Sequence, residues 1–297
     1  MRGTVLRKFA VMAALALAAL PFASHGDELK GYRFQIVTGD DSEVTNRIAA
    51  DLYKQLSPVF AEFRTELAQR RRNLTVAIGP AALHEVAARR CDCAVISAFT
   101  SSQVVRSVLA RLPAARAASF TAVYAEPAPA DQLRLIALLY GRPVRIAAIA
   151  GPDTSFLKPA LQGQVTVQDF SPADDINRVL SRIAQAEVLL ALPDNSVYNS
   201  ETIRNVLLST YRHKQAVIGF SADMVKAGAL ATTYSEVEDV NAQVAEMAAA
   251  YVRSGVLPPP QFPRYFRTVV NEGVARSLDV RVTDDVRRFE RKPPGRP

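Results

Sequence analysis

Apolar and polar positions along this chain alternate between two periods. Short apolar runs end at small polar residues, and each is followed by apolar residues spaced three and four apart. The clearest example begins with the apolar run 188–192. Its length falls in the roughly four to eight residues expected of a strand covered on both faces. Pro193-Asp194-Asn195-Ser196 closes it with turn chemistry. Ile203, Val206, Leu207 and Tyr211 then recur at helical spacing, with Ser200 as the expected N-cap. A second strand over 216–220 stops at Ser221-Ala222-Asp223.

The same rhythm fills the rest of the chain. Strands are expected at 33–37, 74–78, 93–97, 120–124, 144–149, 165–170 and 266–270. Val44, Ile48, Leu52 and Leu56 lie on one face of a long helix, which Pro58 should kink or restart before Val59, Phe63 and Leu67. Further helices are expected at 82–88, at Val104, Val105, Val108 and Leu109 behind a Thr100-Ser101-Ser102 cap, and along the apolar face of Leu133, Leu135, Ile136, Leu138 and Leu139. Others follow at 156–161, 176–183 and 274–278, and at 237–252, where Val240, Val244, Met247 and Tyr251 share a face. Strands alternating with helices in this way predict βαβ units and parallel sheets. Glu126-Pro127-Ala128-Pro129 interrupts the rhythm midway, and Pro258-Pro259-Pro260 interrupts it again.

Composition changes the picture only at the two ends. Arg2, Arg7 and Lys8 precede an apolar run over 9–22, with Ser24 and Gly26 before Asp27. That pattern is a cleavable signal peptide, too short for the ~20 residues of a spanning helix. It predicts an exported, periplasmic product. The net charge is +7, of which this segment and the tail over 281–297 carry +3 each, leaving about +1 for the body. A basic stripe with interleaved aromatics is absent, so no nucleic-acid partner is expected. The tail reads as a solvated, poorly ordered terminus, with contact to anionic lipid as the sharper alternative. Cys91 and Cys93 are the only cysteines. They would either close a strained C-x-C disulfide or remain two thiols at the start of a strand, one of them buried. The second reading is the expectation.

The residues past the strands also carry a resemblance. The order Pro193-Asp194-Asn195, Tyr198-Asn199, helix, Gly219-Phe220-Ser221, then Val225-Lys226-Ala227-Gly228-Ala229-Leu230-Ala231 resembles the ABC-transporter substrate-binding proteins whose characterised members bind aromatic amino acids. Asn271 to Asp279 fits that family's closing segment, with Asp279 where the family usually has Gly. The match is best from about Gly141 to Asp279. In the first half the family's T-D-P-V turn is replaced by Ser97-Ala98-Phe99-Thr100-Ser101. The resemblance implies an α/β fold of two Rossmann-like lobes with parallel sheets joined by a hinge, of the type I periplasmic binding protein kind. It also implies three crossings between lobes, a small-molecule ligand in the cleft, and delivery to a membrane permease with a separate ATPase. With the Pro and Gly punctuation it places a signal peptide at 1–26, one lobe at 27–128 plus 232–262, the other at 129–231 plus 263–280, and a basic tail at 281–297. A monomer is the default for this architecture.

Ligands of open parallel sheets bind at the carboxyl ends of strands, so the candidate ligand-binding residues lie there. Asp194 is the best placed partner for a ligand ammonium, or else a turn Asp capping its own backbone. Asn195 would add a donor and Tyr198 an aromatic wall, unless Tyr198 packs on the next helix. Gly39, Asp40 and Ser42 follow the first strand, where Asp40 and Asp41 equally read as a helix-start signal. Ser97 and Thr100 end the third strand. Asp153, Thr154 and Ser155 follow the fifth, as ligand-facing turn or N-cap. Ser221 stands where the family's Ser follows its G-F/Y strand.

Enzyme chemistry finds little to hold. Gly219-Phe220-Ser221-Ala222-Asp223 lacks the second Gly of a nucleophile elbow. His84 and His213 are expected in structural roles, His213 at a helix C-terminus. No G-x-x-x-x-G-K-[ST] or G-x-G-x-x-G loop occurs, and no zinc-spaced cluster, so no cofactor or metal is expected. The expectation is a periplasmic solute-binding protein for an ABC importer that closes on an amino acid or aromatic compound. The rival is a ligand-sensing or scaffold protein docking on a membrane receptor or sensor kinase, and a third is a degenerate fold without ligand.

Overall fold

The structure, a computed structural model, describes residues 33–62 and 73–295. The expected signal peptide at 1–26, and Phe63 and Leu67 of the first helix stripe, lie outside the described residues. Two α/β units account for the rest.

In the first, strands β1 (Arg33–Thr38), β2 (Asn73–Ile78), β3 (Cys93–Thr100) and β4 (Phe120–Tyr124) form a parallel sheet in the order β1-β2-β3-β4. Leu74, Val76 and Ile78 face helix α1 (Glu43–Glu62), whose Ile48, Leu52, Leu56 and Phe60 are buried against them. The intervening Ala77 faces α2 (Gly79–Ala88) and α3 (Ser102–Leu109) on the opposite side. The pleat's period of two thus splits one strand between two cores. A short α4 (Ala114–Ala117) precedes β4. Helix α10 (Val237–Ser254) returns from much later in the chain to lie beside α1 and close the first face with Val240, Val244 and Met247.

The second sheet runs β10-β9-β8-β7-β5-β6. Its strands are β5 (Ile146–Ala150), β6 (Thr166–Asp169), β7 (Val188–Leu190), β8 (Ala216–Ile218), β9 (Ala231–Tyr234) and β10 (Arg267–Val270), with β10 antiparallel to β9 and the others parallel. Helices α5 (Pro129–Tyr140) and α6 (Lys158–Leu161) cover one face together with α11 (Glu272–Ser277) and α12 (Asp284–Arg287). Helices α7 (Ile176–Arg182), α8 (Ile203–Arg212) and α9 (Ala222–Ala227) cover the other. The chain passes between the sheets after β4, after β9 and after α10. The β9 strand spans the expected boundary between residues 231 and 232 and pairs within the second sheet.

The two sheets differ in one topological respect. In the second, β6 lies on one side of β5 and β7 on the other, so strand order reverses between β5 and β7. In the first, the described strands follow one direction while α1 lies on one face and α2 on the other. The first crossover therefore has the opposite hand to the second, an uncommon arrangement, and the first sheet has no reversal among its described strands.

Several expectations need correction. Helix α1 continues through Pro58, so it does not restart there; one missing N–H is outweighed by the continuous buried stripe of Leu52, Leu56 and Phe60. Val44, expected on that stripe, is exposed. The start of α8 is organised by Asn199, whose Oδ1 accepts from the Glu201 and Thr202 N–H groups, rather than by Ser200. Cys91 and Cys93 are joined in a disulfide instead of remaining thiols. The described part of the tail packs on the fold: Val286 is fully buried, the Thr268 hydroxyl donates to the Phe289 carbonyl at 2.5 Å, and Arg291 exchanges backbone hydrogen bonds with Phe266. Its charges masked two apolar anchors, Val286 and Phe289, which reach the core of α5 and β10.

This packing predicts that Val286→Ala lowers unfolding stability by about 1–3 kcal/mol, measured by urea denaturation. An unchanged midpoint would mean that the tail is not anchored there.

Candidate functional site

The reversal between β5 and β7 places two loops side by side at the carboxyl end of the second sheet, the position where open α/β sheets form a crevice. Asp194 joins them. Its carboxylate is 1% exposed. Oδ2 accepts from the Thr154 backbone N–H at 3.1 Å and the Thr154 hydroxyl at 2.9 Å, on the loop after β5. Oδ1 accepts from the Ser196 N–H at 3.0 Å and the Ser196 hydroxyl at 2.5 Å, on its own loop. A Cβ on Gly151 would stand 2.6 Å from both Asp194 carboxylate oxygens. Glycine is therefore required for the β5 loop to approach this closely.

Neighbouring groups feel that buried charge. Burial, and then Asp194, raise the Asp153 carboxyl above its usual range. Burial and Asp194 likewise raise the Tyr198 phenol. The Tyr198 hydroxyl is buried without a hydrogen-bond partner, and its ring stands edge-on to Phe220 at 5.8 Å. Asn195 is exposed, with its carbonyl accepting from the Asn199 side chain. Ser155 is exposed and its hydroxyl donates to the Pro152 carbonyl. Ser221 caps α9, accepting from the Met224 N–H at 3.3 Å.

The first-lobe candidates form two groups. The Asp40 carboxylate accepts from the Ser42 N–H at 2.9 Å, and the Ser42 hydroxyl accepts from the Thr45 N–H at 3.2 Å. Hydrogen bonding from Ser42, side chain first and backbone second, holds the Asp40 carboxyl below its usual range. These residues start α1. Gly39 packs against α2, where a Cβ would come within 2.7 Å of the Ala81 Cβ. Ser97 and Thr100 are buried on β3, and the Ser97 hydroxyl has no partner. Phe99 between them has φ +58 where the β3–β4 register shifts, a left-handed conformation costly for a bulky residue.

A narrow crevice, with about 10 Å³ of room for water, lies where the second unit meets the connecting segments after β4 and α10. Its walls are mostly apolar: Pro127, Pro129, Leu157, Leu192, Phe220 and Phe262. Two polar side chains join them, Glu126 and Gln132. None of the expected site residues lines it. The Gln132 amide is committed, donating to the Gly219 carbonyl and the Thr232 hydroxyl and accepting from the Thr233 N–H. Glu126 is 4% exposed, and both carboxylate oxygens accept from the Ser102 N–H, at 3.0 and 3.1 Å. Glu126 thus supplies the cap of α3 that Ser101 does not. Burial raises its carboxyl above the usual range, against the opposing pull of Ser102. Beside the crevice the Arg106 guanidinium of α3 stacks over the Phe156 ring at 4.2 Å, joining the first lobe to the loop after β5. The only sequence signal for Glu126 was its place in the Pro-rich interruption.

No family model and no curated protein matches the chain. Solved structures do. A ligand-free, open substrate binding protein with adhesive properties from Clostridium difficile aligns with a TM-score of 0.58 at 14% identity over 86% of this chain and 97% of its own. A conserved domain protein from Vibrio cholerae aligns at 0.51 and 15% identity over the same shares. An ABC domain in complex with L-Trp from Streptococcus pneumonia aligns at 0.50 and 17% identity, again over 86% and 97%. At such identities the likeness shows the fold, which is α/β with parallel sheets and matches periplasmic binding protein-like neighbours.

Proposed function

We propose that this chain is a solute-binding protein of the ABC-importer kind. Its ligand would be a small amphipathic molecule, such as an amino acid or aromatic compound, held in the crevice between the lobes. The observation that carries the reading is the lining of the crevice: apolar walls from the second lobe and the connecting segments, which would part to admit a ligand, with one buried carboxyl, Glu126, that keeps unused acceptor capacity. A flat apolar body suits Phe220, Phe262 and the prolines, and a donor group on it suits Glu126. Binding would favour the closed arrangement by touching both lobes at once, and the Arg106–Phe156 stack would add to closure. In this reading Asp194 positions the two loops and Ser221, Asp40 and Ser42 set helix starts, while Tyr198 backs the Phe220 wall. The ligand would pass to a membrane permease driven by a separate ATPase, and the leader at 1–26 would direct export to the periplasm.

The test is a thermal-shift screen of residues 27–297 against amino acids, aromatic acids, nucleosides and small peptides. A native-state ligand raises the melting temperature by mass action, with a stabilisation of about 2.7 kcal/mol at a hundred times Kd. A folded sample that shifts with nothing in the panel rejects the reading. Any hit should bind Glu126→Gln about tenfold or more weakly if its donor is charged, the loss of one charge-assisted hydrogen bond.

The loop geometry makes a second prediction. Gly151→Ala forces a Cβ against the Asp194 carboxylate. It should cost about 1–3 kcal/mol of stability, as overpacking does, and should also weaken the ligand-induced shift. Retained stability and binding, read by urea denaturation and calorimetry, would remove the Gly151–Asp194 approach from the site.

The raised Glu126 carboxyl gives a pH prediction. Its folded pKa lies above its unfolded value, so the folded state binds the extra proton. Stability from this group is present below the ordinary carboxyl range and is lost as pH rises through the raised value. Glu126→Gln should flatten that part of the stability–pH curve, measured by urea midpoints from pH 4 to 7. An identical slope in the variant would contradict it.

A further inference from the structure

The crevice lies at the carboxyl ends of strands. At the opposite end of the first sheet lies a feature that solute binding does not use. Cys93 opens β3 and is buried at 8% exposure, while its disulfide partner Cys91 is exposed. The Arg116 side chain is fixed between them. Its Nη1 donates to the Cys93 carbonyl at 3.2 Å and to the Ser119 hydroxyl at 3.0 Å, and its Nη2 lies 3.2 Å from the Cys91 Sγ. Its guanidinium also rests over the Phe120 ring at 4.7 Å. The Cys91 side opens on a surface bay of about 1010 Å³, counting its open mouth, lined by Ala87, Arg89, Arg90, Asp92, Pro113 and Arg116 among others. The charged groups facing Cys91 are therefore Arg89, Arg90 and Arg116 against Asp92, with Arg89 paired to Glu85.

We propose that Cys91 and Cys93 form a thiol–disulfide exchange centre that accepts electrons from anionic thiols. One sulfur is accessible and lies beside a fixed cation; the other is sheltered in the core. That asymmetry separates the roles. A substrate thiolate attacks the Cys91 Sγ and forms a mixed disulfide. The Cys91–Cys93 bond breaks, and its electron pair leaves on Cys93, which takes a proton from water. A second substrate thiolate then attacks the substrate sulfur of the mixed disulfide. The electron pair leaves on Cys91, where Arg116 stabilises the thiolate until it is protonated. Two thiols become one disulfide, and the protein pair gains two electrons and two protons. The basic bay selects thiols that carry a carboxylate.

The decisive experiment needs no substitution. The full-length oxidised chain is reduced under equal thiolate concentrations of 3-mercaptopropionate or cysteamine, then alkylated in acid-quenched samples and weighed by mass spectrometry. The anionic thiol should react about tenfold faster at low salt, and the gap should collapse at about 1 M salt, where the Debye length falls to about 3 Å. Equal rates for the two thiols, or a pair that resists both, would overturn the proposal. So would two free thiols in the chain as isolated from an oxidising compartment. A second measurement follows alkylation of Cys91 by iodoacetamide in reduced Cys93→Ser. Its pH midpoint should lie below the ordinary ~8.5 of a free thiol and return toward it in Cys93→Ser with Arg116→Gln. A midpoint at or above the ordinary value in the first variant would remove Arg116 from its role.

Discussion

The carboxylate of Asp194 holds together the two loops at the carboxyl end of the second sheet. A single buried charge takes four hydrogen bonds from two residues, Thr154 and Ser196, that belong to different βα loops. Charge-assisted bonds of this kind are the stronger ones, and a buried charge deprived of its partners is costly. The two loops are therefore fixed to each other by this one side chain. Gly151 permits the approach, and Leu157 and Leu192, which flank the pinned residues, form part of one crevice wall. Preorganisation of the wall follows from that one carboxylate.

Much of this was legible in the chain. The strand at 120–124 and the paired strand–turn units from 188 onward were given by apolar runs that stop at small polar residues. The sequence left Asp194 as a ligand contact or a turn cap; the Ser196 N–H supplies the bond of the cap, while the Thr154 contacts, forty residues away, were not legible. Glu126 was not legible as a site residue, because its partner Ser102 lies on another element and nothing local marks a carboxylate that caps a distant helix. The tail was misread for a related reason. Its charges dominate the composition, while two apolar side chains, Val286 and Phe289, decide its place. Asp279, which departs from the resembling family's Gly, adopts φ +54, so the backbone keeps the left-handed turn that Gly would have favoured.

The lobes contribute unequally to the crevice. The second has a strand-order reversal with two loops pinned across it. The first has none among its described strands, and it meets the crevice through the segment after β4 and through Phe262, which returns beside β4 by way of the Gln261 hydrogen bonds to Tyr124 and Ala122. The polar candidates at its own strand ends are absorbed in helix starts and in the β3 interior. In the proposed reading a ligand in this crevice would meet one lobe's loops and the other's connecting segments.

The returning helix α10 has a consequence for how the molecule is made. All four strands of the first sheet have been synthesised by residue 124, yet the face shared with α1 is closed only by residues 240–252. Throughout synthesis of the second lobe, Leu74, Val76, Ile78, Ala94 and Ile96 have half of their cover. An incomplete chain therefore presents a broad apolar sheet face to its surroundings, the kind of surface on which nascent chains aggregate. The segment after α10, which carries β10 and the strap after it, closes the other lobe later still. Neither unit is a contiguous piece of the chain, so the first sheet stays partly uncovered until α10 has emerged.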